Sequence, residues 1–588
     1  MPAMRRLLLL LLLFSAPAMA QCAGGGTCTL ADGNAATVAN AVASVNTNGT
    51  LIIVPSGTFS WSTPESMTTA YSLTIQGQST ISGGGNNCGG GVLNTSPCTA
   101  TDNTVILDAQ SCGGNCLHLF SITVTGGGSQ VVEVTGLSFN ENNNGAYYNG
   151  MVSVSADAGF TTGGVRVDHC HFYNKAALIT ATYMYLNAHV LFDHNVFDGP
   201  ADSTYGSFWL LGDDGNGTGD IEWNAATNLG GNNFLVMENN TINNGSAIDS
   251  RGGGRYRFRY NTYRSTGGSN DPTWVQCHAT GSNAEVRGCR AWEVYGNYIY
   301  SANSGGYFSA GFMTSGTGVW WGNTVTGFNH MLTFVDDRGN NGTYPQTAPA
   351  AGWGNCGTAQ TGSASNWDGN KNLGGSNGSP CLDMIGRGQG DLLSGTFPNR
   401  CDSTLGSGTP GGCGSGTYTG VWSSEYLEPV YEFDDTFTQV GAGNLAFAQT
   451  DGGGSPNPAN IVANRDYYIQ QSNTSPCQTT STSPFNGTSG TGCGTLANRP
   501  TSCTPGLGSA DYASPTGSYG VAYFATDANG GRGELYSCTS TNTWTGIYEP
   551  AVYPDPLVGG VTATPPAPST MFVLQGNQGI LKGEATLP

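Results

Sequence analysis

One eight-residue alternation of apolar and polar positions recurs along the middle of the chain. It reads VEVTGLSF from Val132, VRVDHCHF from Val165, VLFDHNVF from Val190 and LVMENNTI from Leu235. It continues as YRFRYNTY from Tyr256, WEVYGNYI from Trp292 and GVWWGNTV from Gly318. Each copy alternates, turns and resumes with another apolar residue, which predicts strand, tight bend, strand. The sixth position is Leu137, Cys170, Asn195, Asn240, Asn261, Asn297 and Asn323. Asparagines stacked at a bend can bond up and down the stack, satisfying their own amides and the turn backbone together. Copies start 21 to 45 residues apart, one coil plus a loop of variable size. So small a unit cannot bury its own apolar face, so successive units must stack. The pattern predicts an all-β chain, a right-handed parallel β-helix. Cys170 takes the asparagine position, so it is expected to point into the stack and stay unpaired.

The chain before these copies supplies a start for the solenoid. Residues 35–43 are short, alanine-rich and helix-competent, and GTLIIVPSGTFSW (49–61) and YSLTIQG (71–77) follow. A helix here would cap the first coil, whose apolar face otherwise meets water. Helix, VPSGTFSW and SLTIQG together resemble the N-terminal cap and first coils of the pectin-lyase-like superfamily, over residues 30 to about 340. The resemblance implies a parallel β-helix whose active members cleave acidic polysaccharides by elimination or hydrolysis. The expected division is an export signal (1–20), cap and first coils (21–75), the β-helix (76–340), final coils with long disulfide-tied loops (341–558), and a linker-like tail (559–588).

Composition narrows the setting. Arg5 and Arg6, the apolar run 7–13 and Ala18-Met19-Ala20 have the form of a secretory signal, too short to span a bilayer. The formal charge is −20, and −22 once Arg5 and Arg6 are removed. So acidic a chain repels nucleic acid and anionic lipid, and neither is an expected partner. The seventeen cysteines all follow the signal and suit disulfides in an oxidising compartment, with Cys22/Cys28, Cys88/Cys98 and Cys112/Cys116 as local staples. A secreted, soluble monomer is expected.

A second strand precedes the ladder strand in each coil: ALITAT (177–182), SFWLLGDD (207–214), SAIDSR (246–251), VQCHATG (275–281), SAGFMTSG (309–316) and LTFVDDRG (332–339). Asp213, Asp214, Asp249, Arg251, His278, Asp336, Asp337 and Arg338 gather at the ends of these strands, where neighbours stand about 4.8 Å apart. Asparagine and aspartate at such ends are also ordinary turn formers. Seven of the fourteen arginines after the signal fall between 251 and 290, against two acids, Asp271 and Glu285. Arginine grips carboxylates through a two-pronged fork, and a uronic-acid polymer presents a row of them. Arg255, Arg287, Arg290 and Trp274 are the substrate-binding candidates. In the ladder strand Asp168, Asp193, Glu238 and Arg259 share one outward column, so Arg257 and Arg259 can equally be surface ion-pair partners, worth little.

Segment NNGSAIDSRGGGRYRFRYN (243–261) resembles the pectate lyase stretch that carries calcium-ligating aspartates, and Asp249 falls on the second of them. VRVDHCHF resembles another strand of those enzymes, with Arg166 where they have tryptophan. The resemblance implies a lyase. Elimination needs a cation beside the uronate carboxylate and a base within reach of the adjacent proton; Arg251 and His278 fit these roles in either order, with Asp249 beside them. Asp213, Asp214 and Asp249 are the candidate Ca2+ ligands. Two other readings compete. GDD (212–214) resembles a polygalacturonase motif, with paired carboxylates for hydrolysis. A non-catalytic glycan-binding β-helix would use the same groove, with Trp209, Trp274 and Phe312 against sugar rings.

Overall fold

The computed structural model describes residues 22–83, 97–111, 118–142, 151–156, 163–173, 180–184, 189–199, 208–212, 222–223, 225–232, 234–265, 275–277, 288–302, 307–336, 385–389, 427–439, 445–450, 461–470, 477, 485–506 and 519–558. Helix Ala35–Ser44 caps the first coil, burying Val38, Ala41 and Val42. Trp61 donates its indole N–H to Gly33 O at 2.9 Å, tying the cap to that coil. The ladder strands then stack in parallel into one 12-stranded sheet, here the ladder sheet, from Thr27–Thr29 to Tyr467–Tyr468. The remaining coil strands form a 19-stranded assembly of two parallel ribbons that share the long strand Thr324–Asp336. The flank ribbon holds the strands after each bend, such as Val196–Asp198, Thr241–Asn243, Thr262–Ser265 and Tyr298–Ser301. The groove ribbon holds Phe208–Gly212, Ile248–Arg251, Val275–Cys277 and Tyr307–Met313. The chain is a right-handed parallel β-helix.

The register explains the core. Phe139, Phe172 and Phe197 are in line on successive coils, with ring centroids 5.3 and 4.6 Å apart. Stacking of like side chains is what unshifted parallel pairing produces, because equal positions repeat at the strand spacing.

The bend carries a second repeat. Residues at the fifth position adopt left-handed backbone: Gly136, His169, His194, Asn239, Tyr260, Gly296 and Gly322, with φ between 49° and 67°. Glycine, asparagine and histidine tolerate that conformation, whereas a bulky tyrosine is an outlier there. Gly296 makes room for it, since a Cβ at 296 would stand 2.6 Å from the Tyr260 ring. The sixth-position amides then bond upward: the Asn195, Asn240 and Asn261 backbone N–H groups each donate at 2.9 Å to the next coil's Oδ1, of Asn240, Asn261 and Asn297. Cys170 donates its N–H to Asn195 Oδ1, and its buried thiol is free.

The ladder runs one coil further than the sequence pattern indicates. In VYEFDDTF, from Val430, Asp435 takes the sixth position and accepts from Asn323 N and Nδ2 at 2.7 and 2.9 Å. Burial, and then the adjacent Glu432, push the Asp435 carboxyl well above the usual range. Beyond the last coils lies a separate four-stranded sheet, Thr491–Gly494, Ala522–Ala525, Glu534–Ser540 and Thr543–Tyr548. The sequence of this region predicts loops and final coils, whereas these strands pair antiparallel for the most part and stand apart from the coil sheets. Cys22–Cys28, Cys277–Cys289, Cys477–Cys493 and Cys503–Cys538 are disulfide-bonded. Cys98 is bonded as well; Cys88, Cys112 and Cys116, the signal 1–20 and the tail 559–588 lie outside the described residues.

After the four-stranded sheet, residues 549–558 run across the outer face of the ladder sheet. Arg259 donates to Ala551 O and Val552 O at 3.1 and 3.0 Å, and Asp555 N donates to Glu238 Oε1. Asp555 pairs with His189 at 3.1 Å, and Leu557 packs among Leu191, Phe234, Val236 and Ala291. The outward column Asp168, Asp193, Glu238, Arg259 exists as expected. The Arg259–Glu238 pair at 2.6 Å is fully buried rather than on the surface, because this strap covers it.

Two stability outcomes follow. Asn261→Ala strands the N–H groups of Asn240 and should cost about 2–3 kcal/mol, read as a lowered denaturation midpoint. Arg259→Ala leaves the Glu238 carboxylate buried without its partner and should cost about 3–5 kcal/mol; an unchanged midpoint would contradict the burial described.

Candidate functional site

The groove ribbon presents one outward column. The register aligns Trp209, Asp249, Gln276, Phe312, Thr333 and Phe447 on successive coils. Ile248 and Ser250 point inward and are buried, so Asp249 between them faces out and is partly exposed. Phe312 and Phe447 are also partly exposed, and the Phe447 ring stacks on His330 at 4.7 Å. Arg251 ends the same strand, in register with Leu211.

Val275–Cys277 is the next groove strand, and Cys277 is bonded to Cys289 with Cα atoms 5.3 Å apart. His278 and Arg287 belong to the segment this disulfide closes. Both lie outside the described residues, as do Trp274, Asp213, Asp214, Asp337, Arg338, and the side chains of Arg251 and Asp336.

Two substrate-binding candidates are not on this surface. Arg255 and Arg290 are 3% and 0% exposed. Arg255 donates to Glu222 O at 2.8 Å, and burial, then the nearby Arg290, lower its pKa to about 9. Arg290 donates to Thr227 Oγ1 at 2.6 Å, pairs with Glu428 at 3.1 Å and lies over the Trp223 ring. Arg255 belongs to the ladder sheet and Arg290 directly precedes its next strand, and both lie under Glu222, Ala225, Thr227 and Glu428. Arg257 is likewise buried, paired with Glu293 at 2.8 Å. Of the five arginines of this cluster whose side chains are described, four are therefore internal. Arg264 differs: it lies on the flank ribbon, partly exposed.

Of the three candidate calcium ligands only Asp249 lies among the described residues. Its in-register neighbours are Trp209 and Gln276, not carboxylates, whereas calcium takes six to eight oxygens. Among the described residues the one group with metal-ligand spacing is Asp434, Cys477 and Cys493. Its two sulfurs are joined to each other, so it is no metal centre.

Sequence reasoning missed a polar cluster on the flank ribbon. His171 lies between two carboxylates, Nδ1 2.9 Å from Asp102 Oδ1 and Nε2 2.9 Å from Asp198 Oδ2. Ser138 donates to Asp102, and Asn243 Nδ2 donates to Asp198 at 2.7 Å. Burial disfavours the imidazolium, but the bonds to Asp198 and Asp102 outweigh it and raise the His171 pKa. Burial likewise opposes the Asp198 carboxylate, yet His171 and Asn243 bring its pKa down. His171 is the seventh residue of VRVDHCHF, visible in the pattern. Asp102 comes from a loop 69 residues earlier, which no periodicity marks.

Nothing in protein-family models, curated proteins or solved structures matches this chain. Among the described residues no helix is long and apolar enough to cross a membrane.

The cluster sets a pH dependence. With its folded pKa raised, His171 contributes stability that is complete below about pH 6.5 and lost as pH climbs through the folded value. Asp198, lowered, contributes above its unfolded value and loses this as pH falls through the folded one. Denaturation midpoints from pH 4 to 9 should therefore fall on the alkaline side for the native chain, and less so for His171→Gln. Identical profiles would rule the linkage out.

Proposed function

We propose that the protein is a secreted polysaccharide-active enzyme, a lyase that cleaves a uronic-acid-containing polymer by β-elimination. The observation that carries the reading is the groove strand Ile248–Arg251: Asp249 faces outward on it, and the disulfide-closed segment that begins with His278 follows the neighbouring strand. A long solenoid face suits an extended polymer, since each coil meets the next stretch of chain. Fold by itself fixes no reaction, so the reading rests on these side chains.

In the elimination a base takes the proton beside the uronate carboxylate. Electrons move into the new carbon–carbon double bond, and the glycosidic oxygen leaves and takes up a proton. Arg251 and His278 divide the work of neutralising the carboxylate and accepting the proton. Asp249, two residues before Arg251, orients the cation or the sugar hydroxyls. With Arg255 and Arg290 committed inside the protein, Arg287 and Trp274 remain the substrate contacts proposed for this groove. A calcium requirement is part of the same hypothesis, and a chelator tests it separately.

The test is ultraviolet absorbance of products from a panel of polyuronates and glycosaminoglycans, with calcium and with chelator. Absorbance from an unsaturated uronate is the expected result, reduced at least about a hundredfold in Arg251→Ala or His278→Ala. New reducing ends without absorbance would replace the lyase by a hydrolase and move the site to Asp213 and Asp214. Binding without either product would leave a glycan-binding protein.

A further inference from the structure

The flank ribbon bears a feature that the groove reading does not use. Asn243, Arg264, Tyr300 and Thr326 are aligned in register on four successive coils, and Tyr298 stands beside Tyr300 on the same face. Arg264, Tyr298 and Tyr300 are all partly exposed. The two tyrosine rings are nearly parallel, 6° between planes, with centroids 6.2 Å apart. Of the arginines between 251 and 290 whose side chains are described, the other four are buried; Arg264 is not, and no described carboxylate or other acceptor pairs with it. The next carboxylate down its column, Asp198, is two coils away and already holds His171 and Asn243.

We propose that this face, with Arg264 at its centre and the Tyr298/Tyr300 pair beside it, is a second binding surface for an extended acidic glycan, separate from the groove. Three features point to that class of ligand. A partly exposed guanidinium that no described residue pairs with has its two-pronged fork available to a carboxylate or sulfate. Tyrosines combine a flat apolar face with a polar tip, which suits the mixed surface of a sugar ring. Coils repeat about every 4.8 Å, close to the length of one sugar residue in an extended polymer, so arginine and tyrosine meet adjacent sugars of one chain. On a protein of net charge −20, an anionic polymer is otherwise repelled, and an arginine that no described residue pairs with is a place where it can dock.

The surface rests on the proposed substrate class, yet it makes a separate claim. Because the flank and groove ribbons are different faces of the coil, only a polymer long enough to reach both gains from the second surface. Its loss should raise KM for long chains and leave kcat and the turnover of short oligomers unchanged.

The experiment measures binding of a long polyuronate and of its methyl ester to the full chain, together with turnover of long and short polyuronate. The variants are Arg264→Ala, Arg264→Lys and the double change Tyr298→Ala/Tyr300→Ala. Arg264→Ala should weaken binding of the long polyuronate by about tenfold and leave the ester unaffected; Arg264→Lys should recover only part. The tyrosine pair should matter for both polymers. If the tyrosine variant fails to fold, the arginine variants, at a partly exposed position, still decide. Equal affinity of native chain and Arg264→Ala for long polyuronate overturns the surface, and leaves the lyase reading intact if elimination products form. Binding that depends on Arg264 without any product supports the surface and overturns the lyase. No binding of polyuronate by the native chain overturns the surface outright.

Discussion

The structure depends on what happens to the backbone at a single bend. Each coil must turn sharply between ladder sheet and flank ribbon, and the turn costs one residue in left-handed backbone plus a set of inward polar groups. The asparagine after that residue resolves both at once. Its Oδ1 receives the backbone N–H and side-chain amide of the coil below, while its Nδ2 reaches a strand carbonyl, as from Asn261 to Met237 O. Because every amide is satisfied by its neighbour, no coil can slip along the axis without orphaning two. Register is thereby fixed for the phenylalanine stack in the core and for the outward columns on all three faces.

Most of the architecture was legible because the constraint repeats in the sequence. The amide column, the free thiol at Cys170 and the outward column from Asp168 to Arg259 all came from position within one eight-residue pattern. The Asp435 rung of the ladder was not legible, since aspartate replaces asparagine there and 112 residues separate it from Asn323. Periodicity also distinguishes only inward from outward. It cannot tell outward from exposed, and that is where the arginine reading failed. Arg255 and Arg290 point away from the core and are still buried, covered by Glu222, Ala225, Thr227 and Glu428. Arg259 is covered by a strap nearly three hundred residues later in the chain. The cover is tertiary, written in segments with no period of their own.

The two outer faces of interest handle charge differently. On the groove ribbon, Asp249 has tryptophan and glutamine as its neighbours in register. On the flank ribbon, acid and base are already matched in the Asp102–His171–Asp198 cluster, and among the described residues Arg264 is the cation left over. Buried pairs such as Arg257–Glu293 lock the ladder sheet instead, where taking one partner away is costly and keeping both contributes little net stability. One sequence-level arginine cluster thus serves two ends, internal pairing and surface charge.

The strap at 549–558 also orders events in time. Its partners His189, Glu238 and Arg259 are synthesised 366, 317 and 293 residues before the strap residues they meet. A chain emerging from its N-terminus can stack coil on coil through local contacts, the cheap part of folding. The ladder sheet's charged outer column stays wet throughout that growth and is sealed only when the last segment arrives. Assembly of the solenoid and closure of its outer face are then separate events, and a chain interrupted before residue 549 would hold its coils but expose ion pairs built for a dry environment.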